Sequence, residues 1–243
     1  MKSKLIISAI TMSIVMMLTS CDEHDYVDLD LPSGTLWATC NIGASSPEEN
    51  GFYYSWGETY LKRDFYWNTY KWCNGTQNSI TKYCNNSFYG AVDYVCELDE
   101  DDDVAIKKWG SKWKMPTKEQ FDELYHQCYW VWTNSYKNSN ISGFIAFKAK
   151  NSNVKGVKVF AKDVKSTRYD EWNDTHIFFP ASGARVEDIL DKYGSGGYYW
   201  SRTLDINMPG NAYYLDFESK PYFNVGHIDR FIGLQIRPVR NPD

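Results

Sequence analysis

The residues that most often carry catalysis are few in this chain and follow no familiar catalytic spacing. The four histidines lie apart, at His24, His126, His176 and His227. No His-Glu-x-x-His or Gly-x-Ser-x-Gly pattern accompanies them. A Ser/His/Asp triad can assemble from distant positions, and sequence spacing does not define the distance between two carboxylates, so both arrangements stay open. The acids that could supply such a carboxylate pair are Asp170, Glu171, Asp174 and Glu187. We predict that the protein is not an enzyme.

Two acidic segments carry the oxygen-rich side chains that calcium prefers. Trp172-Asn-Asp174 resembles the calcium-binding triplet of C-type lectins, but no Glu-Pro-Asn or Gln-Pro-Asp partner occurs to complete about six to eight oxygens. The run Asp99-Glu-Asp-Asp-Asp103 lacks the glycine and terminal glutamate of an EF-hand loop, and the dipole of a following helix would stabilise it without an ion. We predict no metal or other cofactor, and a weak calcium contact at the acidic run stays open.

The strongest functional signal is the density of aromatic and charged residues between positions 198 and 231. Tyrosine, tryptophan and arginine dominate binding hot spots because they supply much contact area for little lost freedom. Strand alternation must turn about half of these residues inward, and we place Trp200, Tyr214 and Leu215 inside. We predict that the outward-pointing ligand-binding residues are Arg202, Tyr213, Tyr222, His227, Asp229 and Arg230.

Short strands, two helices and long loops must position these residues. Thr117 and Gln120 form a capping-box pattern that predicts a helix to about residue 129, and the acidic run predicts a shorter helix ending near Gly110. The polar region 68–94 has no periodicity and predicts a long ordered loop. Alternating or aromatic-rich runs predict strands at 26–31, 35–42, 129–133, 143–150, 157–162, 176–181, 198–203, 212–217, 222–225 and 231–239. The fold class is therefore α+β.

The N-terminal segment has the pattern of an export signal. Lys2 and Lys4 precede an apolar run, and Leu18-Thr-Ser-Cys21 resembles a bacterial lipobox in which Cys21 is the lipidated residue. The acids after Cys21 resemble the surface-export signal of Bacteroidota lipoproteins. We predict a signal peptide at 1–20, an acidic tether at 21–25 and one domain at 26–243. The protein would then be lipid-anchored in the outer membrane and exposed on the cell surface.

Charge and cysteine usage restrict the function further. Removal of residues 1–20 would change the net charge from −5 to −7, and no basic cluster longer than a pair occurs, which argues against a nucleic-acid partner. Five cysteines remain beside Cys21, and none forms a Cys-x-x-Cys motif. Cys73 and Cys84 flank a polar loop and are our candidate disulfide, while buried free thiols are an equal alternative.

Seven blocks along the chain carry a resemblance to a known family. They begin at Tyr26-Val-Asp-Leu-Asp-Leu-Pro-Ser-Gly-Thr-Leu-Trp-Ala-Thr-Cys-Asn-Ile-Gly43 and continue with Tyr54-Ser-Trp-Gly-Glu-Thr59, Trp113-Lys-Met-Pro-Thr117, Phe179-Pro-Ala-Ser-Gly183, Tyr199-Trp-Ser-Arg202, Asn211-Ala-Tyr-Tyr-Leu215 and Ile236-Arg-Pro-Val239. In this order they resemble the Fibrobacter succinogenes major paralogous domain family of Bacteroidota lipoproteins. The resemblance implies a C-type-lectin-like fold of the formylglycine-generating-enzyme branch.

What this resemblance implies for function is recognition rather than catalysis. Formylglycine-generating enzymes use a thiol pair in their C-terminal part, whereas this chain has no cysteine after Cys128. Some members of the wider group diversify a C-terminal segment, and whether residues 224–231 form such a segment stays open. We expect a surface-anchored, non-enzymatic protein that recognises a glycan or protein ligand. The alternative is a structural or adhesin-like envelope component that packs against a partner subunit.

Overall fold

The computed structural model describes residues 24–165 and 168–242, so Cys21 and the predicted signal peptide lie outside the described residues. Within these described ranges, twelve strands and two α-helices follow one another: β1 (Tyr26–Asp28), β2 (Leu36–Ala38), α1 (Val104–Trp109), α2 (Lys118–Gln127), β3 (Tyr129–Thr133), β4 (Gly143–Phe147), β5 (Lys158–Val159), β6 (His176–Pro180), β7 (Ala184–Val186), β8 (Ile189–Asp191), β9 (Gly196–Leu204), β10 (Asn211–Glu218), β11 (Tyr222–Asp229) and β12 (Val239–Arg240). Short 3₁₀ turns lie at Trp67–Thr69, Tyr136–Asn138, Ser152–Val154 and Ala161–Asp163.

The strands form four small sheets. Three of the sheets have the strand orders β1-β2-β12, β9-β10-β11 and β5-β3-β4-β6, and β7 with β8 makes a separate hairpin. Neighbouring strands pair antiparallel except β3 with β5, which are parallel. The chain therefore has a mixed α+β fold that is mostly strand, which confirms the predicted fold class.

Both predicted helices are present, and their ends follow from the predicted caps. The side-chain oxygen of Thr117 accepts a hydrogen bond from the backbone amide of Gln120, and the side-chain oxygen of Gln120 accepts one from the backbone amide of Thr117, so a capping box starts α2. The carboxylate of Asp103 caps α1, and Gly110 follows the helix with a φ of 89°, a conformation that favours glycine. Phe121 and Leu124 of α2 are buried.

The sheet of β9, β10 and β11 lies between two apolar clusters. One face of β10 places Tyr214 beside Trp200 in the first cluster, and the other face places Leu215 in the second, with Phe121 and Leu124 of α2. Alternating side chains point to opposite faces of a strand, so β9 and β10, which are covered on both faces, bury most of their positions, whereas β11 at the edge of the sheet buries none. The inward placement of Trp200, Tyr214 and Leu215 is thereby confirmed.

The strands predicted at 26–31, 35–42, 143–150 and 157–162 are shorter in the structure and that at 222–225 is longer, and two larger differences concern the C-terminal segment and one hairpin. Within 231–239 only Val239 belongs to a strand, since this segment pairs in turn with three others through single bridges at Gly233, Leu234 and Gln235. An alternating sequence shows that one face is buried but not that a single neighbour covers it. The β7–β8 hairpin was not predicted, because Ile189 and Leu190 are the only large apolar residues on β8.

The predicted disulfide between Cys73 and Cys84 is wrong. Both are free thiols: the Cys73 thiol donates to the carbonyl of Trp67 at 3.0 Å, and the Cys84 thiol donates to that of Asn86 at 3.2 Å. The polar loop closes through a bridge that places Ile80, not Cys84, opposite Cys73. Both cysteines therefore agree with the alternative prediction of free thiols, and Cys84 is the buried one of the two.

Candidate recognition surface

Two neighbouring loops expose large apolar side chains at one end of the β9–β10–β11 sheet. The first loop spans 85–95 and the second, 205–210, connects β9 to β10. Their exposed fractions run from 37 % for Val92 to 76 % for Tyr94. We call the set the tip surface; its members are Phe88, Val92, Tyr94, Ile206 and Met208.

Backbone pairing brings the two loops together. Glu97 forms an antiparallel bridge with Thr203, and the amide of Leu204 donates to the carbonyl of Cys96 at 2.9 Å. The side-chain amide of Asn85 donates to the Ile206 carbonyl at 2.6 Å, which closes the loops from the other side.

Asp93 holds the first loop in its shape from within. Its carboxylate accepts the backbone amides of Tyr83, Cys84 and Val95 at 2.7, 2.9 and 3.0 Å. Partial burial would raise the pKa of Asp93, but these amide hydrogen bonds outweigh it and the pKa is lowered. Tyr94 lies next to this anchor with a φ of 58°, a left-handed conformation that costs a non-glycine residue about 1–2 kcal/mol. The loop is therefore held in a conformation that its own residues do not favour.

Arg230 ties the loop region to the sheet and is not a surface residue. Its guanidinium donates to the Tyr70 hydroxyl and to the carbonyls of Tyr83 and Pro209 at 2.9 Å each, and to that of Lys82 at 3.0 Å. Its exposed fraction is 0 %. The prediction that Arg230 points outward is wrong, because four acceptors near the end of β11, three in buried hydrogen bonds and one in a part-buried bond, pair with the several N–H donors of its guanidinium.

Arg202 also points inward, which corrects a second prediction. Its side chain is 11 % exposed and lies 3.4 Å from both Asp103 and Glu97. It also donates a hydrogen bond to the carbonyl of Leu98. Burial raises the pKa of Asp103, and the neighbouring Arg202 acts in the opposite direction. Arg202 therefore joins the start of α1 to β9 in place of facing a ligand.

Three predicted ligand residues lie together next to the tip surface. Tyr213 and His227 are opposed across β10 and β11, with ring centroids 6.1 Å apart, and Asp229 is on the same face two residues further along. His227 Nδ1 is 3.0 Å from the buried carboxylate of Asp205, the residue directly before Ile206. His227 is exposed, and Tyr213 and Asp229 are half-buried. Their role in binding stays a prediction.

Tyr222 is exposed but lies on the opposite face of the sheet from Tyr213 and His227. The hydroxyl of Tyr214 donates to Asp216 at 2.8 Å on that face. Burial raises the pKa of Asp216 to about 6, and the phenols of Tyr214 and Tyr222 act against the rise. The six predicted residues are thus divided among two faces and the interior.

The apolar members of the tip surface were missed by sequence reasoning. The sequence does contain a signal for exposed apolar residues. Ile206 and Met208 lie in the turn 205–210, which contains Asn and Pro. Phe88, Val92 and Tyr94 lie in a region without hydrophobic periodicity. A large apolar residue in such a turn has no strand face on which to be buried. Exposure of several such residues in adjacent loops marks an interaction site.

The Trp172-Asn-Asp174 turn, which resembles a calcium-binding triplet, is closed by hydrogen bonds to Asp170. In the Trp172-Asn-Asp174 turn, Asp170 accepts from the amide of Trp172 at 2.8 Å and from the side chain of Asn173 at 2.6 Å. Across residues 24–165 and 168–242, no group of three or more His, Cys, Asp or Glu side chains is placed to hold a metal ion. In the same ranges, no helix has the length and apolar character needed to cross a membrane.

Comparison of the chain with protein-family models, with curated proteins and with solved structures found no match.

Proposed function

We propose that the protein is a surface-anchored, non-enzymatic lipoprotein that recognises a ligand, glycan or protein, through the tip surface and the adjoining Tyr213 and His227. The observation that carries this proposal is the set of five exposed apolar side chains on two loops that are fixed to each other. Covering such a surface lowers the free energy by about 25 cal/mol for each Å² of apolar area removed from water. A partner that covers the tip would therefore be stabilised by these side chains.

The chemistry of the tip favours a protein over a sugar as the partner. Val92, Ile206 and Met208 are aliphatic, and they offer neither a flat ring nor a charged hydrogen-bonding group to a pyranose. Tyr94 and Phe88 are aromatic anchors of the kind that fill pockets on protein partners. Because Asp93 and Arg230 hold the loops in place, binding would require little further ordering of the backbone.

The fold and anchor belong to the same proposal. The order of a short strand pair, two capped helices and a C-terminal antiparallel sheet supports a C-type-lectin-like domain of the major paralogous domain family. Leu18-Thr-Ser-Cys21 supports acylation of Cys21, and two acyl chains suffice for stable anchoring. Alkyne fatty-acid labelling that persists in a Cys21→Ala protein would contradict the anchor.

The binding proposal is tested with matched surface variants. Tyr94→Ser and Ile206→Ser change the tip, and Ile189→Ser removes an apolar side chain of similar exposure from the β7–β8 hairpin. Each protein is applied to a glycan array and to an array of envelope proteins from the same cell. Both tip variants should lose at least about tenfold in affinity, which corresponds to 1.4 kcal/mol, while Ile189→Ser binds like the wild type.

Three outcomes would contradict parts of the proposal. An equal loss of affinity in all three variants would mean that non-specific hydrophobic contact, and not a defined site, produces the binding. Binding on the glycan array that depends on Tyr222 but not on Tyr94 would move the site to the opposite sheet face. Constitutive co-purification with one envelope protein, with aggregation of the isolated chain, would favour the structural alternative.

A further inference from the structure

A second concave surface shares no residue with the tip surface. It is a cavity of about 560 Å³, and ligand pockets in proteins commonly measure about 300–1,000 Å³. The residues that line it come from three segments of the chain, 51–53, 61–65 and 185–188. We call it the side cavity. Neither tip loop, 85–95 or 205–210, contributes to it.

Paired backbone hydrogen bonds hold two of the three walls in place. Phe65 and Glu187 exchange amide-to-carbonyl hydrogen bonds of 3.0 Å in both directions, which joins the second wall to the third. Arg185 and Gly233 exchange two such bonds at 2.8 Å, which joins the third wall to the segment before β12. The cavity is therefore formed before a ligand arrives, and binding would cost little further ordering of the backbone.

Phe52 offers a fixed aromatic ring at the first wall. A Cβ atom at Gly43 would lie 2.2 Å from Cδ2 of this ring and 2.6 and 2.7 Å from the adjacent Cε2 and Cγ. Two nearly equal longer distances place that Cβ over the face of the ring and not beside its edge. One face of Phe52 therefore packs on Gly43, while the side chain stays 45 % exposed and lines the cavity. An aromatic ring with one free face is the surface on which the C–H groups of a sugar ring stack.

Arg185 is a half-buried cation that the protein itself leaves unpaired. Its guanidinium lies 5.5 Å from the centroid of the Tyr53 ring, and within the described part of the chain it makes no hydrogen bond or ion pair. The Tyr53 hydroxyl donates to the carbonyl of Ser182 at 2.5 Å, which fixes the ring beside the guanidinium. A guanidinium carries five N–H donors in a fixed plane. Arg185 therefore presents a rigid set of donors to whatever enters the cavity.

The charges that remain free in the side cavity balance each other. Lys62 also lines the cavity, but it is 2.9 Å from Glu58 and only 11 % exposed. The other charged residues of the lining are Arg63, Asp64, Arg185 and Asp188, and none of them forms an ion pair within residues 24–165 and 168–242. Two cations and two carboxylates give no net attraction for an anion. They do suit hydroxyl groups, each of which donates one hydrogen bond and accepts others.

We propose that the side cavity binds one sugar residue of a neutral glycan, with its ring stacked on Phe52 and its hydroxyl groups bonded to Arg185 and Asp188. The proposal goes beyond the function of the tip surface, whose aliphatic side chains suit a protein. Because the two surfaces share no residue, each should lose its ligand without loss of the other. The same molecule would then hold a protein at the tip and a glycan at its side.

The experiment applies the full-length protein to an array of neutral and acidic glycans and titrates the neutral glycan that binds best. Phe52→Leu keeps an apolar side chain but removes the ring, and should weaken binding at least about tenfold, whereas Phe52→Tyr keeps the ring and should bind within about threefold of wild type. Arg185→Gln and Asp188→Asn should each lose about tenfold as well. Tyr60→Ser is the matched control, since Tyr60 is 46 % exposed and lies outside the lining of the cavity.

Melting curves confirm that each variant is folded, and Arg185→Gln and Asp188→Asn keep the test valid if Phe52→Leu is unstable, because neither removes an internal hydrogen bond. Absence of any glycan signal would overturn the proposal, as would a signal confined to acidic glycans or an equal loss in Tyr60→Ser. Glycan binding that is lost in Tyr94→Ser but kept in Phe52→Leu would place the sugar at the tip and overturn it too. Failure of the tip surface is read separately, because it changes binding to the envelope-protein array and leaves the glycan titration unaltered.

Discussion

Replacement of Arg230 by alanine is expected to unfold the loop region from the sheet. The guanidinium donates three buried hydrogen bonds and a part-buried one to Lys82, and none of the four acceptors is a carboxylate. An acceptor left unpaired in the interior costs about 1–3 kcal/mol, but removing the cation also releases its own desolvation cost of several kcal/mol. Several unpaired acceptors at this cost, less the desolvation cost that is released, leave a net loss of about 3–5 kcal/mol of unfolding free energy, out of about 5–15 kcal/mol for a typical domain.

Urea unfolding and hydrogen exchange measure this effect. For a chain of this size a loss of 3–5 kcal/mol corresponds to a fall of about 6–20 °C in Tm. Amides of residues 83–95 should exchange faster than those of α2, because Tyr83 and Lys82 lose their link to β11. Arg63→Ala, at an exposed arginine, is the matched control and should change stability by less than about 0.5 kcal/mol. An Arg230→Ala protein within about 1 kcal/mol of wild type would refute the reasoning.

Two further predictions concern the Asp216 carboxyl and the thiols of Cys73 and Cys84. Asp216 has its folded pKa raised from 3.8 to about 6 by burial, so its ionised form destabilises the fold and stability is lost as the pH rises between these values. Asp216→Asn should therefore gain about 3 kcal/mol relative to wild type between pH ~3.5 and ~7.5, and a constant difference across that range would contradict the assignment. Cys73 and Cys84 should both be alkylated after unfolding without reductant, whereas a disulfide-linked peptide joining them would show that the thiol geometry is wrong.

The local signals in the sequence predicted the elements well. Thr117 with Gln120, and Asp103 with Gly110, define helix ends through contacts between residues a few positions apart, so the pattern alone suffices. Strand β3 was predicted with its observed bounds because the aromatic run Tyr129–Thr133 follows the end of the capped helix and is succeeded by the polar Asn134.

Long-range partners were the part that the sequence could not predict. Arginine is usually a surface residue, but Arg230 and Arg202 point inward because backbone carbonyls distant in sequence accept their hydrogen bonds. Arg230 donates to the carbonyls of Tyr83 and Lys82, and Arg202 donates to that of Leu98. Tyr222 and Tyr213 lie on opposite faces of the sheet because of the register between β10 and β11. That register cannot be read from the positions of the aromatic residues alone. The tip surface depends on two loops more than a hundred positions apart meeting through Asn85 and Ile206.

Site-specific photo-crosslinking on intact cells tests the central claim most directly. A photoreactive residue is placed at Phe88, Tyr94 or Ile206 of the tip surface, and at Ile189 or Tyr193 as exposed controls. The account predicts that the three tip positions crosslink to the same protein partner and that the control positions do not. Crosslinking of the tip positions to lipid, or equal crosslinking at tip and control positions, would contradict it.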